Sequence, residues 1–441
     1  MKILKFGGTS VGKPERMKSI AQLINNGDRK IVVLSALSGT TNSLVSIADA
    51  LHHREKNKAL SLIGELYQHY EKFIAELYST NESLEKGKKI IGEHFNFLKS
   101  ITEVNYFTNK EERMILAEGE LLSTQMFQVY MEEIKLPSVL LPALEFMRVD
   151  RDGEPELEFI EENLAKHIAQ HPNTQIFITQ GYICRNPLGE IDNLKRGGSD
   201  YTASLVGAAV RANEVQIWTD IDGMHNNDPR IVKKTFPVAE LSFEEAAELA
   251  YFGAKILHPA SIHPARQFNI PVLLLNTMQP EAKGTIITNN PTVTKGKVKA
   301  IAAKDGITAI NIKSSRMLLA YGFLRKVFEV FEKFKTPIDM ITTSEVAVSL
   351  TIDNDTNLAD ISQVLKFFGS VDVDTNQTII CIVGDFLYEH HGAAAKVLDA
   401  LKNIPIRMIS YGGSNHNISI LINTQDKEKA LNLLNESLFE F

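Results

Sequence analysis

Short apolar runs separated by stretches of helical periodicity dominate the first two-thirds of the chain. The runs fall at Met1–Phe6, Lys30–Leu34, Ser138–Pro142, Gln175–Thr179, Glu214–Thr219 and Pro271–Asn276, and each reads as a strand. Strands alternating with helices predict an α/β fold, a largely parallel sheet covered by helices on both faces. One stretch breaks the alternation. From Asn42 to Glu133 the pattern is almost wholly helical, with Leu62, Leu66, Tyr70, Phe73 and Leu77 at three- and four-residue steps. This predicts a helical lobe on the sheet domain, with the aromatic and aliphatic stripe as its core.

The character changes at Asn289-Asn290-Pro291-Thr292 through Gly296, where turn-forming residues cluster. Beyond it lies an internal repeat. Gly322, Lys326-Val327 and Pro337-Ile338-Asp339-Met340-Ile341 are echoed by Gly392, Lys396-Val397 and Pro405-Ile406-Arg407-Met408-Ile409, an offset of about 70 residues. Each copy continues into a β-rich run, Val346–Ile352 or Asn417–Ile422, and then a helical one, Leu358–Phe368 or Lys427–Leu438. A period of that length suits two small βαββαβ domains. The predicted organisation is a sheet domain over 1–290, a linker over 291–305, one small domain over 306–378 and a second over 379–441. The second copy is open to completion by a strand from about 299–312. Exposed sheet edges in such copies favour pairing side by side or by strand exchange.

Composition narrows the classes of function. The chain has 441 residues, 44% hydrophobic and 23% charged, with a net charge of −7. These values suit a globular protein and argue against a nucleic-acid or anionic-membrane surface. No targeting segment or run of about eighteen apolar residues is evident. Cys184 and Cys381 are lone residues in apolar surroundings, read as reduced core thiols of a cytoplasmic protein, and zinc is not expected.

Chemistry concentrates in two loops. The first strand runs into Lys5-Phe6-Gly7-Gly8-Thr9-Ser10, where paired glycines let backbone approach an anion and Lys5 supplies a point charge. Alone this is an ordinary turn, and it is not the Walker pattern. A second loop of the same kind, Lys195-Arg196-Gly197-Gly198-Ser199-Asp200-Tyr201, leads into an apolar helix, which puts Ser199 and Asp200 near a helix N-terminus. Together the loops suggest a site for an anionic phosphate donor and a charged small acceptor. Trp218-Thr219-Asp220 ends a strand, where ligands of open α/β sheets bind, and Arg230 of Asp228-Pro229-Arg230 is a candidate phosphate contact. Phe252-Gly253-Ala254-Lys255 adds a lysine after a glycine; Ser35 and Gly39-Thr40-Thr41 supply hydroxyls after the second strand. Glu120 lies inside an apolar helical run, so it needs a cationic partner. A substrate ammonium and the structural Arg113 both qualify.

These motifs, in this order across essentially the whole chain, resemble aspartate kinases of the amino acid kinase superfamily, and the C-terminal duplication resembles their paired ACT domains. The Met317, Gly322-Phe323-Leu324 and Thr342-Thr343-Ser344-Glu345 pattern is most similar to the lysine-sensitive class. The resemblance is to the monofunctional forms, so a homoserine dehydrogenase half is not expected. The resemblance implies transfer of a phosphoryl group from ATP, accompanied by Mg2+, to the β-carboxylate of L-aspartate. It assigns Lys5 and Asp200 to catalysis, and Ser35, Thr41, Glu120, Arg196 and Ser199 to aspartate. It assigns Lys5, Gly7, Gly8, Thr219, Asp220, His225, Arg230 and Lys255 to ATP. An amino-acid effector, lysine foremost, is implied at Met317, Phe323, Leu324, Ile338, Asp339, Thr343, Ser344 and Glu345, within a homodimer or dimer of dimers built on the ACT domains. Two positions depart from the family pattern: His225 replaces a tyrosine of the nucleotide loop, and Leu319-Ala320 replace His and Ser in the effector region. A kinase of glutamate or acetylglutamate, and a non-catalytic amino-acid sensor, are the competing readings.

Overall fold

The computed structural model describes residues 1–194, 197–253, 257–292, 297–317, 321–384 and 392–439. The chain divides into two compact units. The first comprises Met1–Met224, Ala239–Phe243 and Leu257–Pro291; the second comprises His225–Val238, Glu244–Ile256 and Thr292–Phe441. In chain order the strands of the first unit are β1 (Lys2–Phe6), β2 (Lys30–Leu34), β3 (Ser138–Leu141), β4 (Ile176–Gln180), β5 (Ile183–Arg185), β6 (Ile191–Asn193), β7 (Glu214–Thr219), β8 (Glu240–Ser242), β9 (Val272–Asn276) and β10 (Thr285–Thr288). β5 and β6 form a separate hairpin; the other eight build one sheet in the order β3-β4-β2-β1-β7-β9-β10-β8. Neighbours run parallel except the β9/β10 pair.

Every residue of β2 and of β4 is buried, so both faces of the sheet centre are covered, as a parallel sheet requires. The Gly198–Ala209 helix packs on β1, β2 and β7, and the Asn109–Glu133 helix on β2, β3 and β4. The helical stretch resolves into four helices, Thr40–His52, Lys56–Leu77, Asn81–Ile101 and Asn109–Glu133. Leu66, Tyr70, Phe73 and Leu77 are buried, and Tyr70 meets Phe95 edge to face, so the periodic stripe is core. A capping box starts the last of these helices: Thr108 accepts from its third residue while Glu111 reaches back to the Thr108 N–H, 2.9 Å away. Among the described residues no helix is long and apolar enough to cross a membrane.

In the second unit β11 (Val298–Lys313), β12 (Ile341–Thr343), β13 (Ala347–Ile352), β14 (Ser370–Gly384), β15 (Ile406–Tyr411) and β16 (Asn417–Asn423) form a single sheet in the order β12-β13-β11-β14-β16-β15. The expected pair of βαββαβ copies is present, but they share their two longest strands. The far half of β11 opens the first copy and the near half of β14 closes it; the far half of β14 opens the second, and the near half of β11 closes it. The pairing shows this directly: Ala302 lies opposite Cys381, and Ile310 opposite Val373. The linker expected over 291–305 is therefore too long, because β11 begins at Val298. Ala300, Ile301 and Ala302 are buried there, which is a strand's burial rather than a tether's. The segments 225–238 and 244–256 belong with this unit, although the expected sheet domain included them. Val232 joins the second copy's core, and the Asn227 side-chain amide donates to the Leu431 carbonyl oxygen at 3.3 Å.

Because both long strands run through both copies, they should unfold together. Ile310→Ala, at a fully buried position of β11, should cost about 2–5 kcal/mol. Hydrogen exchange should show lost protection along all of β11 and β14, whereas independent copies would confine the loss to 307–377.

Candidate active site

The parallel register brings four strand ends to one level: Phe6 pairs with Leu34 and Trp218, and Leu34 pairs with Gln180. The loops that follow therefore emerge together at the carboxyl edge of the sheet, the general location of ligand sites in such sheets. Lys5, on β1, lies one residue inside that edge. Its Nζ pairs with Asp200 Oδ1 at 2.8 Å, and both side chains are largely buried. A Cβ at Gly7 would lie 3.3 Å from Lys5 Nζ, so a side chain there would crowd the ammonium. Asp200 sits in the first turn of the Gly198–Ala209 helix, entered through Gly197 at φ 68°, a left-handed conformation that glycine adopts without strain.

Gly7 does not offer the donor expected of it. Its N–H is committed to the Trp218 carbonyl oxygen at 3.3 Å, because β1 continues its pairing with β7 one residue past its end. Gly8 opens the next short helix. Ser35 donates to Ser199 Oγ at 2.9 Å, which ties the loop after β2 to the helix bearing Asp200. This contact depends on Gly181 after β4: a Cβ there would lie 2.3 Å from Ser199 Oγ.

Glu120 completes the constellation from the Asn109–Glu133 helix. It is 5% exposed, and its Oε1 accepts the Ala36 N–H at 3.1 Å, beside Ser35. Burial pushes its carboxyl from an ordinary 4.5 up to about 8; the Ala36 hydrogen bond and the charge of Lys5 oppose the shift. Arg113, the structural candidate for its partner, is committed elsewhere: its Nη1 donates to Asp192 Oδ2 at 2.8 Å. Among the described residues no cationic side chain pairs with Glu120. Neighbouring hydroxyls hold the wall in place: Ser123 donates to the Ser35 carbonyl at 2.8 Å, and buried Thr40 bonds to Tyr70 at 3.0 Å. Sequence reasoning named Thr40 among the hydroxyls after the second strand but missed Ser123, Gly181 and Asp192, since none of these three stands in a pattern that marks a site. Thr41 is exposed at the start of the Thr40–His52 helix.

Thr219 ends β7, and its hydroxyl donates to the exposed Asp220 at 3.1 Å. His225 and Arg230 do not belong to this unit. His225 Nδ1 bonds Thr235 Oγ1 at 2.9 Å. Arg230 is turned to its own loop: Nε and Nη2 hold the two oxygens of Asp228 at 2.9 and 2.8 Å. Arg196 and Lys255 lie outside the described residues, as do Leu319 and Ala320.

The effector positions gather in the first small copy. Phe323 is buried in its core, with Met317 and Ile338 packed against it, while Leu324, Thr343, Ser344 and Glu345 are exposed. Asp339 precedes β12 rather than lying on it. Its side chain is 1% exposed and pairs with Lys304 Nζ at 3.0 Å.

Comparison with known proteins agrees with this geometry. Residues 1–276 match the amino acid kinase family and residues 380–438 match the ACT domain. Lysine-sensitive aspartokinase 3 of Escherichia coli is 33% identical, with 99% of each chain covered. The crystal structure of E. coli aspartokinase III with aspartate and ADP, described as its R-state, superposes with a TM-score of 0.84 at 32% identity over 100% of both chains. The T-state structure with lysine and aspartate gives 0.83, again at 32% identity and 100% coverage of both. A chain with this sheet, this charged strand-end site and these relatives belongs to the amino acid kinase family, among its aspartokinases.

Proposed function

We propose that this chain transfers the γ-phosphoryl group of ATP to the β-carboxylate of L-aspartate, giving 4-phospho-L-aspartate, the first step toward the aspartate-family amino acids. The observation that carries the substrate assignment is Glu120: a buried carboxylate beside the Lys5 site, with no cationic side chain on it among the described residues. An α-ammonium group supplies the missing charge. Arg196 holds the α-carboxylate as a two-pronged fork, and Ser35, Thr41 and Ser199 add hydroxyl contacts.

A carboxylate is already a competent nucleophile, so the site needs no strong base. Catalysis is positioning and charge stabilisation. Lys5 Nζ meets the transferring phosphoryl oxygens while Asp200 fixes its direction. Gly8, Thr219 and Asp220 are the nucleotide contacts offered by the strand-end loops, while the side chains of His225 and Arg230 are engaged by Thr235 and Asp228. Among the described residues no group of three or more His, Cys, Asp or Glu side chains could enclose a metal ion. A magnesium ion arriving with the nucleotide would neutralise phosphate charge, and Asp200 is a carboxylate of the Lys5 site that would be available to its water shell. The enzyme works in the cytoplasm as a homodimer, or a dimer of dimers, built on the ACT copies. Lysine is its effector, held at Asp339 and Glu345; the lysine-bound state of the E. coli relative supports this choice.

Lys5→Ala should lower kcat by about 10²–10³-fold without loss of fold, read by coupled ATP turnover and circular dichroism. An unchanged kcat would remove Lys5 from catalysis. Arg196→Lys should raise the aspartate KM, because lysine cannot reproduce the fork; a change confined to the ATP KM would contradict that role.

Glu120 gives a pH prediction with a definite sign. Its folded value, about 8, lies above its ordinary 4.5. The stability it contributes is therefore full below the ordinary carboxylate range and is lost as pH rises through 8. Without ligand, Glu120→Gln should melt higher than the parent at pH 9. The parent's aspartate KM should fall between pH 6.5 and 8.5 as the carboxylate ionises, and the variant should lose this slope. A parallel slope in both would remove Glu120 from ammonium binding.

Lysine at millimolar concentration should inhibit aspartate-dependent turnover. A wild-type enzyme blind to it, or sedimenting as a monomer with and without it, would overturn the regulatory part and leave the kinase assignment in place.

A further inference from the structure

The Phe243–Tyr251 helix is bound to the ACT sheet along one face. Glu245, Glu248 and Tyr251 are spaced three residues apart, which places them on one side of the helix. Each makes a polar contact to a different part of the sheet unit. Glu245 Oε2 pairs with Lys299 Nζ at 2.7 Å, with both side chains nearly inaccessible. Glu248 Oε2 accepts from the Asn417 side-chain amide at 2.5 Å. The Tyr251 hydroxyl donates to Asp339 Oδ1 at 2.8 Å. The chain then turns at Gly253, where φ is 130° and a Cβ would lie 2.3 Å from the Ala303 carbonyl oxygen. Only a glycine can lie that close to β11. Two residues later comes Lys255, assigned above to ATP.

Asp339 stands at the far end of this chain of contacts, with its side chain 1% exposed. Lys304 bridges it to Asp353, at 3.0 and 2.8 Å, and lies 4.3 Å from the centre of the Tyr251 ring. The cluster thus holds two carboxylates and one ammonium, one positive charge short of neutral. The second Asp339 oxygen, Oδ2, is buried and has no hydrogen-bond partner among the described residues. An incoming ammonium supplies the missing charge, and to engage both Asp339 oxygens it must share Oδ1 with Lys304 and the Tyr251 hydroxyl. Of the donors on Asp339, the Tyr251 phenol is the uncharged one. Hydrogen bonds between charged partners are roughly twice as strong as neutral ones, so the phenol is the donor that yields.

Resting on the effector reading above, we propose that the Tyr251 hydroxyl senses occupation of Asp339: an effector ammonium displaces it and frees the end of the Phe243–Tyr251 helix, next to the turn at Gly253. Glu245 and Glu248 hold the rest of the helix to the sheet, which makes Tyr251 the movable end. In two-state terms the hydroxyl and the effector compete for one carboxylate, and each weakens the other by the same factor.

Tyr251→Phe tests this, and at 44% exposure the substitution should leave the fold intact. Free of its competitor, lysine should bind the variant tighter by up to about tenfold in calorimetry, the scale of one hydrogen bond to a charged group. The ratio of activity without and with saturating lysine should shrink, because the ligand-free variant already sits toward the inhibited arrangement. Without lysine, amide exchange over 244–251 should be faster in Tyr251→Phe and in Asp339→Asn than in the parent, and lysine should accelerate it in the parent alone. A lysine-responsive parent whose Tyr251→Phe variant keeps the same affinity, inhibition ratio and exchange overturns the inference. Tighter binding with undiminished inhibition overturns it as well, since competition without transmission is not sensing. A parent that neither binds nor responds to lysine instead sinks the effector reading, and equal exchange in parent and variants then removes the Tyr251 link too.

Discussion

The Lys5–Asp200 ion pair is the constraint around which the catalytic site is arranged. A lysine near the end of the central strand of a covered sheet has little water to solvate its charge, and a carboxylate must be brought to it. Asp200 arrives on the first turn of a helix, where the helix dipole favours a negative group. The helix in turn can start there only because Gly197 takes a left-handed turn and Gly181 leaves room for Ser199. One ion pair therefore fixes the approach of three loops. It leaves an ammonium that is oriented yet still has donors to spare, which is what a transferring phosphoryl group requires.

The two carboxylates of the site show how environment divides the work. Asp200 has a fixed cationic partner in Lys5, which suits the orienting role proposed for it. Glu120 has only backbone N–H groups and almost no solvent around it among the described residues, so its charge is costly until a cation arrives. In the proposed assignment binding and ionisation are coupled: the substrate's ammonium would offset the cost of the Glu120 charge, and the site without substrate favours the neutral acid. A ligand without an ammonium group, however similar its carboxylates, lacks this compensation.

Much of this was legible in the sequence because it is local. The six strands expected in the first two-thirds all form, to within a residue or two at each end, since apolar runs bounded by turns specify them directly. The Gly-Gly loops were recognisable for the same reason, and the family resemblance joined them into one site. What the chain conceals depends on contacts between distant segments. Arg113 could have paired with Glu120; that it pairs with Asp192 instead is decided by the β5–β6 hairpin, which carries no distinctive pattern. Gly7 reads as a phosphate donor until the ladder with Trp218 claims its N–H. Arg230 is likewise claimed by Asp228, two residues away. The linker was overextended because its turn residues stop at Gly296, while the alanines of Ala300–Ala303 give no strong strand signal until β14 is laid beside them.

Sharing β11 and β14 between the two copies has a mechanical consequence. Independent domains joined by a tether can each respond without the other. Here the same backbone hydrogen bonds belong to both copies, and Lys304 stands where β11 passes from one to the other. The ladder is irregular between Lys304 and Ile307, around Gly306 at φ 76°. A bulge at this place turns the strand and re-aims its side chains, which lets Lys304 reach Asp339 and Asp353 while Ala303, its neighbour, meets Gly253. The irregularity is thus where the shared sheet, the buried charge cluster and the Phe243–Tyr251 helix come into contact. A charge added to that cluster would change the balance of a strand that two cores are built on, so a ligand bound there as proposed would act on the whole sheet rather than on a single domain.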